Sequence, residues 1–192
     1  MTMRSLPAVP GAADVRWWPE PVDWVEPLFR RYLRALYEGP DAHRFESFSV
    51  YELEWIVGYM VPMAWFESRG NPNAVNRRVY ADPMRQAAGV YQHMPVYWDG
   101  RVESTIRLLR RAGLSDVWMD DPQVSDPLPT EPGTGILHLA ANVAVAAYLF
   151  GIQGPGAWSP SRTIWKPENF QPDTWLWVDG AWGRISNGQV ML

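Results

Sequence analysis

The chain has 192 residues, with 17 Lys and Arg against 21 Asp and Glu, no cysteine, three histidines and 12 tryptophans. A net charge of −4 with scattered basic residues excludes the dense positive footprint of a nucleic-acid binder and a polybasic membrane patch. The lack of cysteine removes disulfides, thiolate metal sites and thiol catalysis, and the dispersed histidines argue against zinc, so no metal and no cofactor are expected.

The length suits one compact domain with decorated ends. The start, "MTMRSLPAVPGAADVRWWPEP", lacks an apolar core after its early arginine and does not read as a secretory signal. Pro7, Pro10, Pro19 and Pro21 with little periodicity predict an extended arm over residues 1–24, and Trp17 and Trp18 suggest that it docks. From Val25 to Glu38, Leu28, Phe29, Tyr32, Leu33 and Leu36 form one stripe and Arg30, Arg31 and Arg34 lie largely opposite. This is an amphipathic helix ended by Gly39-Pro40, its arginines read as a solvated face.

In "SVYELEWIVGYMVPMAWFESRG", Ile56, Met60, Met63 and Glu67 recur at helical spacing, which puts Glu67 on the apolar face. Pro62 predicts either a kink near Gly58 or a helix that restarts there. Gly70 is the expected left-handed stop, with Asn71-Pro72 following, so Glu67 falls in the last turn. Next come "AAGVYQHMPVYWDGR" and a helix in "VESTIRLLRRAGL" with Ile106, Leu109 and Leu114 as partial core markers. "DDPQVSDPLPTEPGTG" reads as a proline-rich surface loop. Ile136 to Ile152 is too short and too polar, with His138 and Asn142, to span a membrane, and reads as a buried core helix over 136–150. Past Trp158, "TWLWVDGAWGRI" alternates around Asp179-Gly180, a hairpin signal.

A carboxylate on a buried face near a helix C-terminus is pushed toward its protonated form by desolvation and by the negative end of the helix dipole. That is the condition of a general acid, which glycoside hydrolysis uses to protonate a leaving oxygen. Tryptophan also serves as a platform for sugar rings, although packing is the commoner use.

The series "ESRGNPNAVN", then "AAGVYQHMP", then "NVAVAAYL" resembles the motif order of the lysozyme-like lytic transglycosylases, which include soluble lytic transglycosylases and goose-type lysozymes. The continuation "HMPVYWDGR" resembles the peptidoglycan-cleaving domains of actinobacteria and their phages. The resemblance implies that Glu67 is the catalytic acid and base and that Ser68 orients it. It implies that Gly89 lets backbone approach the glycan, that Gln92 binds an N-acetyl sugar, and that Tyr91, which replaces the family's methionine between them, also lies at the substrate. Asn142 matches a mostly structural asparagine. Tyr148 reaches toward the cleft by the resemblance, whereas its apolar helix favours core packing. The late Ala-Tyr-Asn signature has no clean counterpart; "GPGAWSPS" takes its place and offers Trp158 as the aromatic lining the sugar site. His93 stays outside the catalytic set as a structural hydrogen-bonding residue.

A transglycosylase of this type works with one carboxylate, aided by the substrate's N-acetyl group, and leaves a 1,6-anhydromuramyl end. An inverting hydrolase needs a second carboxylate ~6.5–9.5 Å away to activate water. Asp82 and Asp99 are the candidates, Asp82 the stronger because goose-type lysozymes place acidic residues in that stretch.

The expected architecture is mainly α: a lysozyme-like helical domain over 25–160, the arm over 1–24 and a small Trp-rich C-terminal β-hairpin extension over 161–192. The expected activity is cleavage of the MurNAc–GlcNAc β-1,4 bond, with peptidoglycan glycan strands as partner. Because no export signal is read, the expected setting is a phage virion, tail-associated and bound to other tail proteins, acting on the host cell wall. Two rivals are a structural tail or baseplate protein that keeps the fold with little activity, and a carbohydrate-binding module that does not cleave.

Overall fold

A computed structural model describes residues 24–77, 81–129 and 133–161, together with the backbone of 175–178, 181–186 and 189–191. The expected N-terminal arm lies outside the described residues. The fold is mainly helical. Its helices are α1 (Val25–Tyr37), the short α2 (Glu46–Val50), α3 (Leu53–Ser68), α4 (Trp98–Arg111) and α5 (Leu139–Gln153). α5 packs on α1, α2 and α4, and α1 also packs on α3.

α1 forms as its stripe dictates: Val25, Phe29, Tyr32, Leu33 and Leu36 are buried. Its arginines are engaged in ion pairs, Arg30 with Glu26 and Glu54, and Arg31 with Asp116. α3 is more central than one apolar face suggests, because residues 55–64 are buried on every side. Pro62 sits inside one continuous helix, which resolves the two expectations for this segment against a restart at Gly58. The left-handed turn comes one residue early: Arg69 has φ 58° and caps the helix, and Gly70 follows at φ 72°. Arg69 places its guanidinium over the Trp65 ring at 5.3 Å.

α4 begins at Trp98, ahead of the expected start, because the buried Trp98 indole donates to the Val124 carbonyl at 2.8 Å. It closes with Gly113 at φ 82°, where Gly113 N–H bonds Arg110 O and Leu114 N–H bonds Leu109 O, the paired bonds of a glycine stop. α5 starts later than the apolar run. Residues 135–137 form a tight turn, and His138 breaks from helical backbone and caps α5 by accepting from Ala141 N–H at 3.4 Å.

Between α4 and α5 the chain is held by aspartates placed before prolines. Asp121 and Asp126 accept from the N–H two residues on, at 2.9 and 3.0 Å, and Asp82 does the same upstream at 3.0 Å. Gly135 seats this loop: a Cβ there would stand 1.9 Å from Val124 O and 2.1 Å from Val124 C. Both atoms are backbone and cannot swing away. Gly135→Ala is therefore expected to cost about 3 kcal/mol and lower the melting temperature by roughly 5–10 °C. Gly100→Ala, on a helix position with nothing within 4 Å of the added carbon, should instead raise it slightly. Calorimetry of the two variants beside wild type checks the pair.

Candidate functional site

Glu67 occupies the last turn of α3 and is half-buried. The chain leaves the helix through the left-handed Arg69 and Gly70 and runs into residues 71–76, which pair with the segment carrying "GVYQ". Asn76 N–H bonds Ala87 O at 2.8 Å and Gly89 N–H bonds Ala74 O at 2.9 Å. Ala88 and His93 exchange both backbone bonds at 2.9 Å, closing a tight turn over Gly89–Gln92. The loop that continues the helix of Glu67 is thus stitched to the turn that carries Gln92.

Gln92 is a non-glycine residue at φ 51°. Left-handed backbone outside glycine costs energy and is retained where the surroundings over-determine it. Here the surroundings are explicit: Nε2 of Gln92 donates to Gly89 O at 2.8 Å and to Ala74 O at 3.3 Å. Both amide protons are engaged, so the carbonyl oxygen is the group this half-buried side chain can offer to a ligand donor.

Asn142 on α5 fixes the turn from below, at 1% exposure. Its Oδ1 accepts from Tyr91 N–H at 2.9 Å, and its Nδ2 donates to Ile136 O at 2.8 Å and Ala88 O at 3.3 Å. Its backbone carbonyl accepts from His93 Nε2–H at 3.0 Å. One side chain therefore ties the 88–93 turn and the 135–137 turn to the central helix.

Several residues expected at the sugar take other places. Gly89, at φ 78°, is required by Asn142: a Cβ would stand 2.0 Å from Asn142 Nδ2. The close approach it permits is to α5, where a glycan approach was expected. Tyr91 is fully buried, and its hydroxyl donates to Met60 O at 2.9 Å. Trp158 is 4% exposed, donates its indole N–H to Tyr91 O at 3.1 Å and meets the Tyr91 ring edge-on. Neither ring presents a face to a ligand, because each closes the back of the turn. Ser68 does not orient Glu67 by donation, since its hydroxyl proton goes to Ala64 O at 2.9 Å. Tyr148 is half-buried with its ring edge against Phe45, and Asp82 is an exposed turn cap.

His93 is buried beneath the turn, and its pKa falls to about 3 through desolvation, with the Asn142 carbonyl bond opposing and Arg101 adding to the fall. The folded protein keeps His93 neutral while the unfolded chain takes up a proton below about 6.5. Stability contributed by the neutral ring is present above pH 6.5 and is lost as pH falls from there toward 3. Melting curves between pH 4 and 7 should show stability declining by up to about 1.4 kcal/mol per pH unit, a slope that His93→Gln flattens. An equal slope in that variant would assign the acid sensitivity to carboxylates.

Residues that escaped the sequence reading also stand near this unit. Arg101 on α4 is part-buried and lies over the Tyr97 ring at 4.9 Å, with burial depressing its pKa. Asn73, Asp121, Gln123, Thr134 and His138 line a cleft of ≈ 360 Å³ between the 71–76 loop and residues 121–124 and 133–138. No group of His, Cys, Asp and Glu suited to a metal occurs among the described residues, and none of the described helices is long and apolar enough to cross a membrane.

Comparison with protein families, with curated proteins and with solved structures finds no significant match to any of them. Function is therefore argued from the motif order and from this geometry.

Proposed function

We propose that the chain cleaves peptidoglycan glycan strands at the MurNAc–GlcNAc β-1,4 bond, with Glu67 as general acid and base. The observation that carries this reading is the union of Glu67 and Gln92: the loop leaving the Glu67 helix holds, through Ala74 O, a strained turn whose glutamine is locked by its own amide nitrogen. A half-buried carboxylate at the helix end and a fixed amide acceptor on the turn stitched to the loop that follows it are the parts such a cleavage needs. Glu67 protonates the glycosidic oxygen, the Gln92 carbonyl receives an N–H of an N-acetyl group, and that substrate group assists at the anomeric carbon. Glu67 then deprotonates the C6 hydroxyl, so the bond broken and the ring closed share one proton carrier.

Asp82 enters only the hydrolytic alternative. One of its oxygens already caps Met84 N–H, which suits a turn residue more than a water-activating base. Mass spectrometry of peptidoglycan digests decides: anhydromuramyl ends support the one-carboxylate route, and reducing ends move the mechanism to hydrolysis. An Asp82→Asn variant with unchanged product ends and rate is the expected companion result.

The setting we favour is a phage tail, with residues 161–192 as a docking extension. A hairpin there is supported by the antiparallel register that sets Trp177 opposite Trp182 and Val178 opposite Ala181. Deleting residues 165–192 is expected to abolish incorporation into particles while sparing wall cleavage by the purified domain. The structural tail-protein reading draws on one observation, the burial of Tyr91 and Trp158, which removes two rings expected to hold sugar. It predicts a well-folded chain that releases nothing from peptidoglycan.

A further inference from the structure

Two of the described arginines are part-buried, and their surroundings differ in kind. Arg30 on α1 is held by Glu26 and Glu54. Arg101 on α4 has no carboxylate in ion-pair reach and donates no side-chain hydrogen bond among the described residues. The helix explains why. Asp99 and Glu103 stand two residues to either side of it, a spacing at which side chains do not meet on a helix, and the positions that do meet it, Tyr97, Trp98, Ser104 and Thr105, carry no charge. Further along α4 the exposed Arg110 and Arg111 find Asp120 and Asp41.

A guanidinium that gives up part of its hydration without gaining a counter-ion is a standing cost, and such a group calls for an anion from outside. Burial lowers the Arg101 pKa, against the influence of Tyr97 and Tyr148. The guanidinium lies over the Tyr97 ring at 4.9 Å, which braces it and leaves its fork of N–H donors uncommitted. Tyr97 is 54% exposed and Val96 beside it 50%, so the fork has an apolar, solvent-facing rim. The place adjoins the candidate site: Tyr97 N–H bonds Met94 O at 3.1 Å just after the 88–93 turn, and the Arg101 charge reaches the His93 ring. A planar donor fork pairs bidentately with a carboxylate, and the rim suits one borne on a small aliphatic group.

We propose that Arg101, braced by Tyr97, is a carboxylate-binding site, and that the carboxylate it takes is carried by the short peptides of the peptidoglycan polymer. The binding chemistry stands on Arg101 and its surroundings; the source of the carboxylate rests on the peptidoglycan-cleaving reading. Arg101 is then a specificity residue outside the bond-breaking chemistry, favouring strands that bear free-acid peptides over bare or amidated ones.

The test titrates the full chain with diacetyl-Lys-D-Ala-D-Ala and with the same peptide amidated at its C-terminus. The acid peptide is expected to shift the Tyr97 and Arg101 amide resonances and the Arg101 Nε–H, and to bind about tenfold or more tightly than the amide. Arg101→Met should abolish that difference and leave the melting temperature unchanged or higher, because the cation it removes has no acid partner to lose, whereas a structural arginine would lower it. Should that variant misfold, Tyr97→Ala, at an exposed position, serves in its place and should also weaken the acid peptide. Acid and amide peptides that bind alike, or acid affinity indifferent to Arg101→Met, would overturn the site. On intact sacculi Arg101→Met should slow release about tenfold, and on glycan stripped of its peptides not at all; equal slowing on both would overturn the peptide as the source. Acid-peptide binding that depends on Arg101 in a chain whose wild type releases nothing from peptidoglycan would uphold the site and sink the cleavage reading.

Discussion

Asn142→Ala is expected to be the most damaging single substitution in the core, costing roughly 3–5 kcal/mol and about 10 °C or more of melting temperature. The side chain is 99% buried by its 1% exposure and satisfies Tyr91 N–H, Ile136 O and Ala88 O at once. Alanine removes all three partners and admits no water in their place, and each stranded buried group costs about 1–3 kcal/mol. The vacancy also frees the space that makes Gly89 obligatory. Functional consequences should exceed the loss of stability, because the turn that holds Gln92 at φ 51° depends on the Tyr91 N–H anchor. Equilibrium urea unfolding gives the stability term, and wall-lytic rate measured well below the midpoint gives the other. A loss under 1 kcal/mol would mean that the hub relaxes around its missing centre.

Glu67→Gln is expected to lower lytic rate by about 10²–10⁴-fold with little change in melting temperature. The amide keeps the shape of the carboxylate and cannot transfer a proton to a leaving oxygen. Glu67 is half-buried at a helix end and outside the buried stretch of α3, so the substitution leaves the core untouched. Glu67→Asp keeps the acid and retracts it by one methylene, which should still cost on the order of 10²-fold through misplacement. Similar losses in both variants would argue for proton transfer at a fixed position; full activity in Glu67→Asp would argue for a diffuse electrostatic role. Because Ser68 donates to Ala64 O, Ser68→Ala should cost activity far less than either.

The elements that sequence predicts well are those in which one residue pattern decides the outcome. The stripe of α1 is buried residue for residue except Leu28, which packs at the margin. The helix bearing Glu67 ends where a left-handed turn was expected, shifted by one residue because Arg69 tolerates the conformation while its guanidinium covers Trp65. What sequence misplaces depends on partners far along the chain. Ile136 reads as helical by hydropathy, yet its carbonyl is taken by Asn142 and the helix starts after His138. Tyr91 sits in a motif that places it at the substrate, and only the arrival of Met60, Asn142 and Trp158 around it explains its burial. The proline-rich "DDPQVSDP" reads as surface loop because composition cannot show that Asp-Pro caps and a Gly135 contact fold it against the core. The cleft it lines is invisible for the same reason.

The most direct test is release of soluble muropeptides from purified sacculi by the wild-type chain and by Glu67→Gln at matched, verified folding. The proposed chemistry predicts steady release by wild type, terminated in products cleaved at the MurNAc–GlcNAc bond, and release near background in the variant. Equal release by both proteins would remove Glu67 from catalysis, and no release by a folded wild type would contradict the enzymatic reading outright.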